Sequence, residues 1–462
     1  MENKKNDKVP VPHKLAYSVG LSADQYASQS LIHMAMPVYN VLLGVNPSLI
    51  AFILGFLRFW DAITDPIIGK ASDNFRSSQG RRKPLIKWGA ICTGLSFPLI
   101  WLVPENWPES YKAIYFTLIL MIYYCCYSVY SVSYSSLGME MTPCYKERTK
   151  LFAFRNAFST PLTLGIPWIV AVAYSSTFST PLEGMQVVGV IIGGIIILGG
   201  LFASSLANEK YHSITKSQEK VKVFASFREL KKNKSVLSVV LLMFICLFSN
   251  TLISSLGFYI NSYYVFLGDI KAAATLSALI GTVCIFVTIM TSVSLYRFAQ
   301  RFSKEKIIYL SIIIDFSGNI SKFWTFSPEY PEAMAISIIT TTVASAMFWV
   351  VIISMKADVC DSDEYSSGVR REGMISSLVN WSNKTAMACG LILSGVVITI
   401  CGFAPEEGSS PTSESLSLML MMFVFIPCIF NIASLFLLKN YSLTNKTHFQ
   451  IRTKLEQIRG AV

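Results

Sequence analysis

Stretches of about 20 consecutive apolar residues recur along this chain, and that length spans the hydrocarbon core of a bilayer as a helix. Inside a membrane every backbone polar group must be satisfied internally, so only helices or closed barrels remain open to such a chain. The runs are continuously apolar rather than alternating, which excludes a β-barrel. Composition agrees: 52% of the 462 residues are hydrophobic and 15% are charged, where a soluble protein carries about 25% charged residues. Mean hydropathy is +0.49. The expected fold class is an all-α membrane protein.

Spans are expected at 15–44, 49–72, 85–103, 113–138, 151–173, 186–207, 237–261, 272–296, 306–325, 333–357, 374–402 and 415–438. Lys and Arg orient them, because cytoplasmic loops carry the positive excess. With the amino terminus inside, the external loops hold only Lys112, Lys271 and Lys322. Arg58, Lys70, Arg155 and Lys384 lie within spans, and the rest fall on the side of both termini. The reading is a multi-pass protein of the cell inner (cytoplasmic) membrane with a cytoplasmic tail at 1–14. Six-helix halves follow at 15–207 and 237–438, joined by a basic cytoplasmic linker at 208–236, with a second cytoplasmic tail at 439–462. This layout resembles that of major facilitator transporters, whose halves rock around a midplane site. Topology and lipid contact account for the linker's lysines, so the net charge of +11 does not point to nucleic acid. The ten cysteines sit mostly inside apolar runs, as small hydrophobes do, and the four histidines are scattered. No structural metal and no cofactor are expected. The charged first fourteen residues are not followed by a short apolar leader with a cleavage site.

Ionisable residues inside spans mark function, since hydrocarbon rejects them unless they are paired or wetted. On the second span, Asp61 and Asp65 are four residues apart and stack on one helix face, with Thr64 beside them. Two carboxylates so close disfavour each other's charge. A small hard cation or a shared proton resolves the conflict; pairing with Arg58, Arg155 or Lys384 to hold helices together is the structural alternative. No histidine or third carboxylate lies nearby for a metalloenzyme dyad. After this span, Asp73, Arg81 and Arg82 fill a short cytoplasmic loop. They read as a gate that latches neighbouring helix ends, or as topological charge alone. On the fourth span Tyr123, Tyr127, Tyr130 and Tyr134 recur on one face, flanked by Ser128, Ser131 and Ser135. Aromatic faces with hydroxyls suit a sugar ring; small-residue helix packing produces the same pattern.

Three motifs then carry a resemblance. They are the run Arg58-Phe59-Trp60-Asp61-Ala62-Ile63-Thr64-Asp65-Pro66, the stretch from Tyr134 to Pro143 with Glu147-Arg148-Thr149, and the exit of the tenth span. That exit runs from Ala357 through Asp358, Asp361 and Glu364 to Arg370-Arg371-Glu372-Gly373. In both halves and in order, they resemble the glycoside–pentoside–hexuronide:cation symporter family across essentially the whole chain. The resemblance implies symport of a glycoside, hexuronide or related sugar, coupled to sodium or protons, by alternating access. Asp61 and Asp65 match the family's cation-binding carboxylates, so transient sodium there is one reading. Thr64 and Ser128 replace other oxygen-bearing side chains and keep oxygen ligands. Arg155, Lys384 and Trp349 match residues at the family's sugar cavity, joined by Tyr127 and Tyr130 from the fourth span. Asp358, Asp361, Glu364, Arg370 and Arg371 extend the cytoplasmic gate.

Two positions depart from the family pattern. Ser131 stands where a relative has a sugar-binding carboxylate. The first-span carboxylate falls at Gln25, with Asp24 one residue earlier and turned by about 100°. A grip by two carboxylates is therefore not expected, and anionic sugars are expected to be tolerated or preferred over α-galactosides. Asp315 has no assigned counterpart; it pairs with Lys322 or lines the cavity. No nucleophile–base pair appears, so an enzyme is not expected. The partners are a small-molecule sugar and membrane lipid, with the chain acting as a monomer. Two rivals stand: a lysolipid cargo on the same fold, and a non-transporting sensor. The sensor would carry a soluble signalling domain, for which the 24 residues at 439–462 are too few.

Overall fold

The computed structural model describes residues 9–75, 77, 80–141, 145–206, 233–298, 302–367, 372–402, 412–439, 450–451 and 453–454. These form α1 (Val11–Ala35), α2 (Pro47–Asn74), α3 (Lys83–Leu99), α4 (Glu109–Glu140), α5 (Tyr145–Leu162), α6 (Ile169–Ala173) and α7 (Pro181–Leu206). The second part of the chain holds α8 (Lys234–Tyr259), α9 (Ile270–Phe298), α10 (Lys304–Thr325), α11 (Met334–Ser367), α12 (Glu372–Ile400) and α13 (Ser413–Lys439). Among the described residues, nine helical segments are long and apolar enough to cross a membrane. Three expected spans fall outside that set for local reasons. The helix α3 has only 17 residues; α1 is diluted by Ser, Gln and Asp24; α10 carries Asp315, Asn319 and Lys322. Lys112 and Lys322, expected in external loops, instead lie within α4 and α10 and are buried. Each finds an internal acceptor, the Leu43 carbonyl for Lys112 and Asn319 for Lys322.

The chain divides into two compact units: 1–219 with 270–278 and 404–409, and 220–269 with 279–403 and 410–462. In the first unit, α1 packs on α5 and α7, and α3 packs on α4 and α7. In the second, α8 packs on α12 and α13, and α10 packs on α11 and α13. Each unit thus uses one scheme: its first helix against the fifth and sixth spans, its third against the fourth and sixth.

The repeat extends to the turns. Helix α1 continues as a π-helix over Met36–Leu42, and α8 does the same over Ile260–Val265. In both, an amide reaches back five residues: Leu43 N–H to the Val38 carbonyl (2.9 Å) and Phe266 N–H to the Asn261 carbonyl (3.1 Å). Each ends on a glycine in the left-handed region, Gly44 at φ +69° and Gly268 at φ +97°, which side chains disfavour. The matching sequences Tyr39-Asn40-Val41-Leu42-Leu43-Gly44 and Tyr263-Tyr264-Val265-Phe266-Leu267-Gly268 were open to view, but hydropathy alone does not reveal them. Asn46 and Asn233 then cap α2 and α8 by accepting from the amides of Ser48 and Ser235.

Close backbone approach is built from small residues, as in membrane helices generally. A Cβ on Gly94 of α3 would stand 2.5 Å from the Gly193 carbonyl oxygen of α7, and one on Gly193 would stand 2.4 Å from that of Gly94. Outward-facing apolar side chains such as Leu198 (69% exposed), Ile67 (64%) and Ile429 (63%) fit a lipid surround.

Candidate functional site

Helical periodicity puts Arg58, Asp61, Thr64 and Asp65 along one stretch of α2, and packing of α2 against α4 supplies their cross-helix partners. Asp61 is 1% exposed. Its Oδ1 accepts a hydrogen bond from the Ser128 hydroxyl of α4 at 2.8 Å, and its Oδ2 lies 3.9 Å from the Arg58 guanidinium. Thr64 donates to the Asp61 carbonyl at 3.1 Å and its hydroxyl stands 3.4 Å from that of Ser128. Asp65 is half-buried one turn further on. Arg58, 6% exposed, also lies over the Tyr124 ring at 5.3 Å. The structure therefore joins Asp61, Thr64 and Ser128, and places Arg58 beside Asp61. Arg155 does not take that place. Arg58 was legible as a structural partner three residues before Asp61, on the same helix face.

A second polar group forms between α1, α4 and α5. Tyr127 and Ser131 of α4 stand beside the Asp24 carboxylate, and Arg155 acts on it electrostatically. The Oδ1 atom of Asp24 is buried and makes no hydrogen bond among the described residues. Arg155 is positioned by the Tyr17 hydroxyl (3.2 Å) and by the Phe152 ring, 4.7 Å below the guanidinium. Gln25, which aligns with the family's first-span carboxylate, accepts from Ser159 at 3.0 Å. Asp24 of α1 thus stands across the helix interface from Ser131. Asp24 and Ser131 lie more than a hundred residues apart, so no spacing rule in one helix could pair them.

Tyr130 departs from the cavity role expected of it. It is 0% exposed, and its hydroxyl donates to the Gly20 carbonyl of α1 at 2.7 Å. Tyr123 likewise donates to the Ala27 carbonyl (2.8 Å), and Tyr134 to that of Tyr17. A buried phenol needs a partner, and here carbonyls of α1 provide it. Three of the four tyrosines fasten α4 to α1, leaving Tyr127 to face Asp24.

Residues 16–445 match the family model described as MFS/sugar transport protein. The chain belongs to that family. The family transports and does not catalyse. An uncharacterized symporter YjmB of Bacillus subtilis (strain 168) is 26% identical over 423 residues, covering 90% of this chain and 88% of its own. A glucuronide carrier protein homolog of Escherichia coli (strain K12) is 21% identical, covering 96% and 94%. Among solved structures, a bacterial homolog of the human lysosomal transporter Spinster superposes with a TM-score of 0.67 at 15% identity, covering 93% and 98%. The motifs and these relatives together place the chain in the glycoside–pentoside–hexuronide:cation symporters, multi-pass membrane proteins of the major facilitator fold.

In this symporter, one residue of the expected gate in the first unit has a defined contact. The Arg82 guanidinium donates to the Ser72 hydroxyl at the end of α2, and Ser72 stands 3.4 Å from Ser133 of α4. Arg81 and Arg82 are 8% and 4% exposed. Nearby, Lys14 of α1 pairs with Glu147 of α5 at 2.6 Å, and Val9 N–H adds a bond at 3.3 Å. Burial works against the Glu147 charge, but the Lys14 bond and charge outweigh it and hold the carboxyl below its usual range. In the second unit, Asp358 of α11 pairs with Lys304 of α10 at 2.5 Å. Asp361 and Glu364 follow on the same helix, both half-buried. The side chain of Asp73, together with Arg370, Arg371 and most of the linker at 208–236, lies outside the described residues. Trp349 packs half-buried against the core of the second unit, edge-on to Phe348 at 5.8 Å, and Lys384 is half-buried on α12.

Proposed function

We propose that this protein is a secondary active symporter coupling sodium or proton entry to uptake of a glycoside, hexuronide or related sugar across the inner membrane. The observation that supports this best is the Asp61 cluster. A carboxylate at 1% exposure, ringed by the Ser128 and Thr64 hydroxyls with Asp65 one turn away, offers the oxygen-rich surroundings a hard cation or a proton needs. Arg58 compensates Asp61 while the site is empty; a bound cation would take over that role and release the guanidinium.

The sugar is assigned to Asp24, Tyr127, Ser131 and Arg155 of the first unit; the family resemblance adds Trp349 and Lys384. The unbonded Oδ1 of Asp24 is an acceptor for a sugar hydroxyl, since buried acceptors are rarely left unused without a purpose. Because Asp24 balances Arg155, neutral glycosides fit the group as well as uronides do. Coupling is reciprocal: if the cation raises sugar affinity, the sugar raises cation affinity equally. Twelve spans with both termini cytoplasmic, halves at 15–207 and 237–438, the basic linker at 208–236 and a monomeric carrier complete the reading.

The test is uptake by proteoliposomes of a labelled glucuronide, xyloside and galactoside under imposed sodium or proton gradients. Accumulation of one sugar that collapses with one gradient is the expected outcome. Equal uptake with and without either gradient would remove the coupling, and failure of all three sugars would remove the cargo class.

A further inference from the structure

The second unit holds a polar group that neither the cation site nor the assigned sugar residues use. Asp315 lies in the middle of α10. Its Oδ2 accepts from the side-chain amides of Asn319 on the same helix and Asn431 on α13, both at 2.9 Å. The Asn319 carbonyl in turn accepts from Lys322 Nζ at 2.7 Å, and that ammonium lies 4.2 Å over the Phe423 ring. Lys322 is 5% exposed. Asp315 and Lys322 are therefore opposite charges joined through one amide, a network with no net charge. Both asparagine amides hold the same carboxylate oxygen. The other, Oδ1, makes no hydrogen bond among the described residues, and Asp315 lines a cavity of about 40 Å³.

Four helices wall this cavity. Ser249 comes from α8, Asp315 from α10, Ser345 from α11 and Asn431 from α13. Ser249 is 8% exposed, and its hydroxyl makes no hydrogen bond among the described residues. The Oδ1 of half-buried Asp315 and the Ser249 hydroxyl, both facing one cavity and without a partner among the described residues, are an acceptor and a donor available to a ligand. A cavity that holds a water needs about 10–15 Å³ by this measure, so this one takes a few hydroxyl-sized groups and not a whole ring.

We propose that this cavity is a subsite for the hydroxyl edge of a neutral saccharide, gripped by Asp315 Oδ1 and Ser249 Oγ. The inference rests on the sugar reading above and names a part of the site in the second unit. Charge decides against a coupling cation as occupant: Asp315 is the one carboxylate among the described lining residues and Lys322 already balances it, whereas Asp61 has Asp65 one turn away beside a single Arg58. Polarity decides against an acyl chain, since apolar carbon would strand two polar atoms. A ligand hydroxyl satisfies both: it donates to Asp315 and accepts from Ser249.

The experiment uses the full chain in proteoliposomes and whichever of the glucuronide, xyloside and galactoside the wild type transports, together with its monodeoxy analogues. Asp315→Asn should raise KM for the parent sugar about ten- to hundredfold, the scale of a lost hydrogen bond to a charged group. One monodeoxy analogue should show the same weak KM in wild type and variant, because the hydroxyl that Asp315 grips is already gone. Ser249→Ala, which removes one hydroxyl and leaves the ion network intact, should raise KM about two- to tenfold. The cation concentration for half-maximal uptake should be unchanged in both. An unchanged sugar KM in Ser249→Ala, or no analogue that loses its sensitivity, would overturn the subsite. A shift in cation dependence instead would make it a cation site. If wild type transports none of the sugars, the broader reading falls and the subsite falls with it.

Discussion

A single hydroxyl, that of Ser128, sets how Asp61 is presented. It donates to Asp61 Oδ1 at 2.8 Å from a different helix. Ser128→Ala removes a bond to a charged group, which contributes about 1.5–3 kcal/mol, and should weaken cation dependence of uptake by tenfold or more with little effect on folding. Asp61→Asn removes the charge itself and should abolish gradient-driven accumulation while exchange down a sugar gradient survives. Accumulation persisting in Asp61→Asn under both gradients would refute the cation-site assignment. Ser131 makes a different prediction. It stands beside Asp24, so Ser131→Asp brings a second carboxylate against the first and repels an acidic ligand. Competition of uptake by neutral and acidic saccharides should shift towards the neutral ones. A variant that keeps or strengthens its response to uronides contradicts the arrangement.

At the scale of helices, contacts outside the membrane-spanning segments are the ones that titrate accessibly. Lys14 and Glu147 tie α1 to α5. Burial opposes the Glu147 charge, the Lys14 contact wins, and the carboxyl sits below its usual range. A group with a lowered pKa in the folded state gives stability that is present above its unfolded pKa, about 4.3. That stability is lost as pH falls through the folded value. Glu147→Gln should therefore lower the melting temperature at pH 7, and the gap to wild type should close as pH drops below about 4. A gap independent of pH would mean that packing and not charge is at work. The α3–α7 contact is decided by shape. Gly193→Leu would drive side-chain carbon into the Gly94 carbonyl, where a Cβ already comes to 2.4 Å. Overpacking costs about 1–3 kcal/mol or more, and detergent-solubilised yield and melting temperature should both fall; a variant matching wild type in both would show that the helices can separate without cost.

For the whole transporter, the prediction concerns rate against affinity. Arg82 fastens the loop after α2 to Ser72. Neutralising Asp73, Arg81 and Arg82 together should leave sugar affinity within about twofold, since no assigned ligand group is lost, and slow turnover by tenfold or more, roughly 1.4 kcal/mol in the barrier. Binding measured by calorimetry and uptake measured in proteoliposomes separate the two. Lost binding with unchanged transport rate would reverse the gate assignment. At this scale the two units repeat one packing scheme of six helices, with paired π-helices and glycines in the left-handed region after them.

What the chain alone determined is whatever depends on neighbours along the helix. Apolar runs of about 20 residues must be membrane helices, and residues four apart must share a face, so the stacking of Asp61, Thr64 and Asp65 was legible without coordinates. So were the family motifs and the isolation of Asp315 in an apolar run. The tertiary structure decided what each polar group meets: Ser128 on Asp61, Asp24 beside Ser131, Tyr130 spent on the Gly20 carbonyl, and Asn431 reaching Asp315 from α13. Those partners depend on the rotation of each helix about its own axis. Rotation is set by packing of small residues such as Gly94 and Gly193 across a neighbouring helix, and no periodicity within one segment encodes it.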